Sequence, residues 1–388
     1  MQYLKAACGL LCFLILASNI WSMSRWSEAR GVYDDVCYLR QAHLFQRFGL
    51  GGLDTDLSRD DDRYLASRLQ AIGFPTWSDP ATIPCHTLIP ATNKRVLQYP
   101  PGTGLVLALF PRGFQVIPLY VLSTVILFGF ALLGISYARS RSAILLTAGF
   151  GCLAIYLMIN PAKASYSVAP TMVACALAGF VTAKLFSAPQ RYRLLLTGLV
   201  GLLIGLAVNF RLPNLLLSSG YFGFFFVAFL LSRKMETALQ GILFGVAFLA
   251  GMAPTLVANA INAGSPLRTT YGGVDVTPPA LSFGVIASYL ADMQFVLLAL
   301  AGAWTAWMLR RHRDDGTRQL ALVTATNLLV NLAFFLTHPL FTPYYTIPVA
   351  MLSLWSLVFA ALMQPAKSVE LAEPGRWTAP LPDAIPRP

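Results

Sequence analysis

Charge is what this chain has least of. Only 12% of its 388 residues are Asp, Glu, Lys or Arg, about half the share found in a soluble domain. Acid is scarcer than base, 17 residues against 28, which leaves a net charge of +11. That excess does not point to nucleic acid, because no recognition motif with interleaved aromatics is present. There is no CxxC and no Cys/His cluster of metal-ligand spacing, so nothing suggests zinc. A Gly-rich phosphate loop, a Walker sequence and a GxSxG elbow are also missing, which argues against soluble nucleotide chemistry. No internal repeat is visible, and neither is the paired-half pattern of many transporters.

What the chain has instead is apolar residues, 56% of the total. They fall in long blocks rather than amphipathic stripes. The expected fold is therefore all-α: a polytopic integral membrane protein with about ten transmembrane helices. The expected spans are residues 4–23, 115–137, 143–159, 168–186, 194–210, 213–231, 241–259, 283–309, 319–337 and 344–363. The first resembles a secretory signal but is close to full membrane length and has no convincing cleavage site, so it reads as a retained signal anchor. Residues 104–111 are too short to cross and read as a partial helix. Residues 24–102 form a large first loop, expected to carry short interfacial helices. Residues 364–388, rich in Pro and Ala, read as a disordered tail.

Orientation follows from the short loops. Arg139 and Arg141, then Lys184, Arg191 and Arg193, then Arg233 and Lys234, then Arg310, Arg311, Arg313 and Arg318 all fall on the side of Lys5. The opposite short loops carry isolated basic residues only: Lys163, Arg211 and Arg268. The positive-inside rule makes the Lys5 side cytoplasmic. Both termini are then cytoplasmic, and the 24–102 loop lies outside. Four of the cysteines (Cys8, Cys12, Cys152, Cys175) lie in apolar blocks and read as packing residues. Cys37 and Cys85 lie in the first loop, and whether they pair stays open at this level.

The chemistry-bearing stretch is Asp34-Asp35-Val-Cys-Tyr38-Leu-Arg-Gln-Ala42. Tyr38 and Ala42 share a helical face with Asp34. Two carboxylates just outside the hydrocarbon suit polar chemistry on a lipid-linked substrate, although Asp also begins helices for purely structural reasons. On the same side stand Lys163, Arg211, Arg268 and His338. Convergent, they would make a cationic rim able to grip a phosphate leaving group. Taken singly, each could equally be a headgroup contact. Lys94, Arg95 and Tyr99 complete the first-loop candidates. The acidic run Asp60-Asp61-Asp62 could bind a divalent cation, but such runs are more often solvated loops.

These residues together resemble the GT-C superfamily of polytopic glycosyltransferases, of the protein O-mannosyltransferase and aminoarabinose transferase type. Asp34-Asp-Val-Cys-Tyr38-Leu-Arg-Gln-Ala42 is similar to their Asp-Glu-x-x-Tyr-x-x-x-Ala segment. Tyr99-Pro-Pro-Gly102 resembles the Tyr-Pro-Pro that ends their first loop. Arg211-Leu-Pro213 resembles Arg-x-Pro, and Gly264-Ser-Pro-Leu-Arg-Thr-Thr-Tyr271 resembles Gly-Ser-Pro-x-x-x-x-Tyr. The likeness runs to about residue 363, so residues 1–363 would be one GT-C-like domain. It departs at Asp35, where the pattern has Glu, and in the middle of the first loop.

The resemblance implies an inverting glycosyltransferase in a bacterial inner (plasma) membrane. A polyprenyl-phosphate-linked sugar would be the donor, and a lipid, glycan or protein the acceptor. Asp34 or Asp35 would be the base, or help to bind a divalent cation such as Mg or Mn. Tyr38, Lys94, Arg95, Tyr99, Lys163, Arg211, Arg268, Tyr271 and His338 would bind substrate. The rival readings are a transporter or flippase of lipid-linked sugars and a non-catalytic membrane protein.

Overall fold

The computed structural model describes residues 1–26, 33–158, 165–187, 189–272, 278–311, 315–338, 340–342 and 344–363. Lys163, Arg313 and the 364–388 tail lie outside these residues. The described residues are mainly helical. Among the described residues, eight helices are long and apolar enough to cross a membrane, and two shorter apolar helices accompany them. The long set includes α1 (Gln2–Met23), α5 (Val116–Tyr137), α7 (Val168–Ser187), α10 (Met235–Ala263) and α13 (Asp315–Thr337). It also includes α8 (Arg193–Val208) and α9 (Ser219–Ser232), each extended by a 3-10 turn at its start, and α12 (Met293–Arg311). The shorter two are α6 (Arg141–Met158) and α14 (Ile347–Met363). A helix of about twenty residues rises roughly 30 Å, the thickness of the hydrocarbon core.

α14 is the axis of the bundle. Every residue from Ile347 to Ala360 is buried. Its neighbour α7 packs closely because it presents small residues, among them Ala169, Ala176 and Gly179. A Cβ on Gly179 would meet the Trp355 Cβ at 2.6 Å. Small residues at such contacts let helix backbones approach, which is how helices associate where lipid removes the hydrophobic driving force.

One expected span is not continuous. Residues 283–309 were expected as a single helix, but the chain breaks at Asp292 into α11 (Phe283–Ala291) and α12. Asp292 is extended, and its Oδ1 accepts from the Gln294 amide at 2.9 Å. The charge inside the apolar block is therefore a helix cap, the position where a short carboxylate is favoured.

The first loop is more structured than a set of short helices. α2 (Tyr33–Phe48) and α3 (Tyr64–Ala71) are followed by an antiparallel hairpin, β1 (His86–Ile89) with β2 (Lys94–Leu97). The hairpin turns through Asn93 at φ 52°, a left-handed conformation that Asn tolerates. Val36, Leu65, Leu69 and Ile83 form a small core of their own. Arg40, fully buried, donates to the carbonyls of Thr55 and Asp56 at 2.9 Å and faces His86 at 3.1 Å. A disulfide joins Cys37 on α2 to Cys85 beside β1. Asp60, Asp61 and Asp62 pair with Arg40, Arg47 and His43 respectively. The acidic run is thus a clamp within the loop.

The short α4 (Gly102–Ala108) follows, as a partial helix. The bundle has two chemically distinct ends. At one, the Lys5 ammonium donates to the Ser136 carbonyl and Gln190 donates to Glu236. The basic short loops gather there. At the other, the first loop is fastened to the distant turns: Thr55 to Asn262, Asp35 to Tyr166, and Gln98 to Thr270.

Candidate functional site

The fastened end holds a cavity of about 600 Å³. Asp34 comes to it from the first turn of α2, and Tyr38 from the next turn of the same face, as the spacing of four requires. Tyr99 comes from the bend after β2, Arg211 from the turn after α8, and Tyr271 from the segment after α10. Tyr344 and Tyr345 enter from the approach to α14.

Arg211 is held in place by its neighbourhood. It is only 7% exposed. Its guanidinium lies 4.7 Å from the Tyr344 ring and 5.0 Å from the Tyr345 ring, and Nη1 reaches the Tyr344 carbonyl at 3.5 Å. No carboxylate among the described residues forms an ion pair with it. A buried guanidinium facing aromatic rings and a cavity keeps its donors directed at whatever anion enters.

The turn carrying Arg211 is pinned through Asn209. α10 contains Pro254, whose missing N–H interrupts the helical ladder. The Asn209 side chain bridges the rung next to this break: it donates to the Gly251 carbonyl at 2.7 Å and accepts from the Thr255 amide at 3.0 Å. Its backbone carbonyl accepts from the Gly102 amide at 2.7 Å. The Tyr99-Pro-Pro-Gly102 bend and the Arg211 turn are thus one assembly.

Asp34 is half-buried at the cavity wall and accepts a hydrogen bond from the Tyr99 hydroxyl. Burial, reinforced by the Asp34 charge, pushes the Tyr99 phenol well above its ordinary value. It therefore stays protonated and remains a donor. Tyr38 stacks on Tyr99 with ring centroids 4.8 Å apart, and Tyr271 tilts against Tyr99 at 6.3 Å. Burial also raises the Tyr38 phenol, which hydrogen-bonds Ser167. Comparison with family models, with curated proteins and with solved structures finds no match.

The structure separates the two adjacent carboxylates. Asp35 is 2% exposed, and its Oδ1 accepts from the Tyr166 amide at 3.2 Å, away from the cavity lining. Neighbours on a helix point about 100° apart, so one faces the cavity and the other the bundle. Of the expected binding residues, Tyr38, Tyr99, Arg211 and Tyr271 line the cavity. Lys94, Arg95, Arg268 and His338 do not. Lys94 is paired with Asp54 at 3.2 Å, and Arg95 donates to the Ala81 carbonyl. Arg268 is exposed on the segment after α10, and His338 stacks on Phe334. Lys163 is outside the described residues. Among the described residues, the one cation of the expected rim that lines the cavity is the buried Arg211 guanidinium.

Tyr344, Tyr345, Gln98 and His86 also line the cavity and were not singled out as site residues. The Tyr344-Tyr345 pair just before an apolar span was a visible signal. His86 had none. The Arg40 guanidinium donates to His86 Nε2, so Nδ1 carries the proton and donates to the Pro84 carbonyl at 2.7 Å. Burial and the Arg40 charge push His86 down to about 3, so it is neutral at ordinary pH.

For a divalent cation the donor set is thin. Asp34 is the one carboxylate among the lining residues, and among the described residues no group of three His, Cys, Asp or Glu could hold a metal ion.

Proposed function

We propose that this chain is an inverting membrane glycosyltransferase. It moves a sugar from a polyprenyl-phosphate donor to a lipid, glycan or protein acceptor. The observation that carries this is the meeting of Asp34 and Arg211 in one tyrosine-walled cavity. A glycosyl phosphate needs two things from a catalyst: a base for the acceptor hydroxyl and a cation for the departing phosphate.

In the reaction, the acceptor oxygen attacks the anomeric carbon from the face opposite the phosphate. The bond from that carbon to the phosphate oxygen breaks, and its electron pair leaves with the phosphate. Asp34 takes the acceptor proton, and Arg211 binds the phosphate as its charge grows. Tyr99, a fixed donor to Asp34, holds that carboxylate in position. The tyrosine rings and hydroxyls suit a sugar, which presents both apolar faces and hydroxyl edges. A glycosidase would need a second carboxyl group to protonate its leaving oxygen. Asp35, bonded to a backbone amide, does not serve that purpose.

We further infer a ten-span topology, with α6 and α14 as short crossing helices and both termini cytoplasmic. The basic loops at the end opposite the cavity support this orientation. So does the Cys37–Cys85 bridge, since disulfides persist outside the reducing cytosol. The cavity then opens to the periplasm of a bacterial inner membrane. The flippase alternative finds less support: its expected charge within a span, Asp292, is a cap between two helices.

The test is transfer of radiolabel from a polyprenyl-phosphate sugar by purified protein in lipid nanodiscs, using an envelope lipid extract as acceptor source. Labelled product that Arg211→Gln protein fails to form supports the proposal. Movement of the labelled lipid across the bilayer with no transfer contradicts it.

A further inference from the structure

A second cavity, of about 850 Å³, lies at the opposite end of the bundle. It runs between the C-terminal half of α9 and α13, and the start of α10 and the 3-10 turn before α8 close one end. Its long wall is apolar: Phe224, Val227, Ala228, Leu231 and Leu322. Leu231 is 83% exposed and Val227 51%, so this wall opens sideways, where a membrane-spanning helix faces hydrocarbon. Its closed end is polar and carries Arg193 and Lys234. Arg193 Nε is buried with no hydrogen-bond partner among the described residues, an unusual state for a guanidinium nitrogen. Glu236, the one acid among the described lining residues, accepts from Gln190.

The cavity thus has an apolar flank about the length of the hydrocarbon-facing helix turns and a cationic head with an unmet donor. That is the shape and polarity of a phospholipid with an anionic headgroup. The exposed Arg191 and Arg233 beside it add to the positive field. We propose that this groove is a binding site for an anionic glycerophospholipid of the adjoining leaflet. The headgroup phosphate sits on Arg193 and Lys234, and one acyl chain lies along Val227, Leu231 and Leu322. The site is independent of the Asp34 cavity, and its occupancy fastens α9 to α13.

Native mass spectrometry of the full chain, released from detergent with added lipid, tests this. The probes are phosphatidylglycerol, phosphatidylcholine of the same acyl chains, and glycerol 1-phosphate. Wild-type protein retains one phosphatidylglycerol about 30-fold better than phosphatidylcholine, from about 1 kcal/mol for each of the two basic residues. Arg193→Gln removes that preference. Ala228→Trp, which fills the groove, reduces retention of both lipids. Arg139→Gln, a cation outside the groove, changes nothing. Lys234→Gln, at the exposed rim, carries the test if Arg193→Gln does not fold, as judged by its circular dichroism melt. Equal retention of the two lipids by wild type would overturn the proposal. So would a preference that survives in the Arg193 and Lys234 variants, or displacement of phosphatidylglycerol by glycerol 1-phosphate alone. A lipid-free dimer insensitive to added lipid would show that a second copy covers the groove instead, and would overturn it too.

Discussion

The Gly102 amide donates to the Asn209 carbonyl at 2.7 Å, and a Cβ on Gly102 would lie 2.7–2.8 Å from the carbonyl group and Cβ of Asn209. This contact joins the bend that holds Tyr99 to the turn that holds Arg211. Gly102→Ala must push the two apart. The expected cost is about 1–3 kcal/mol of stability, the range for overpacking a tight contact. Sugar transfer falls with it, because both sides of the cavity shift. A melt in detergent, followed by the transfer assay, checks both; an unchanged melt would mean that the contact yields freely.

The Cys37–Cys85 bridge closes a segment with a sequence separation of 48. Loop closure of that length contributes up to about 4 kcal/mol against the reduced chain. The paired Cys37→Ser and Cys85→Ser protein should lose first-loop protection in hydrogen exchange while its spans stay protected. Uniform loss throughout the chain would place the bridge in the global folding unit.

His86 supplies a pH dependence with a definite sign. Its ordinary value is 6.5, and in the fold it is pushed down to about 3. Between those values the unfolded chain binds a proton that the folded chain does not. Stability therefore falls as pH drops from about 6.5 toward 3. His86→Gln, which keeps an acceptor for Arg40, should flatten the pH dependence of melting in that window. Equal slopes for the two proteins would contradict the burial of a neutral imidazole.

Arg211 and Lys are not equivalent here. Arg211→Lys keeps the charge but loses the paired donors and the planar contact with Tyr344 and Tyr345. Turnover should drop by roughly 10- to 100-fold, and by about 10²- to 10³-fold for Arg211→Gln, the scale for removal of one charge-stabilising donor. Equal transfer by wild type and Arg211→Lys would show that only the point charge matters.

Much of the bundle was legible in the sequence because apolar blocks of membrane length leave few alternatives. The break at Asp292 was hidden, since one carboxylate within an apolar run reads as a buried charge until its capping bond is seen. The β1–β2 hairpin was hidden for another reason: its strands are four residues each, and its turn rests on the backbone of Asn93. At the site, helical spacing put Asp34 and Tyr38 on one face. Which of Asp34 and Asp35 faced the cavity was not legible, because that depends on how α2 is rotated against the bundle. The cations show the same limit. Lys94 and Arg211 look alike in sequence, but only Arg211 is without a carboxylate among the described residues, a fact of tertiary structure.

In the proposed reaction Asp34, and not its neighbour, takes the acceptor's proton. The most direct test of that role is the single-turnover rate of sugar transfer by Asp34→Asn and Asp35→Asn proteins, at donor concentrations that saturate binding. Asp34→Asn should lose about 10²- to 10⁴-fold, the range for removing a general base, with its melt unchanged. Asp35→Asn should instead melt lower and, while folded, turn over at a rate near wild type. A folded Asp34→Asn protein that transfers at the wild-type rate would contradict it.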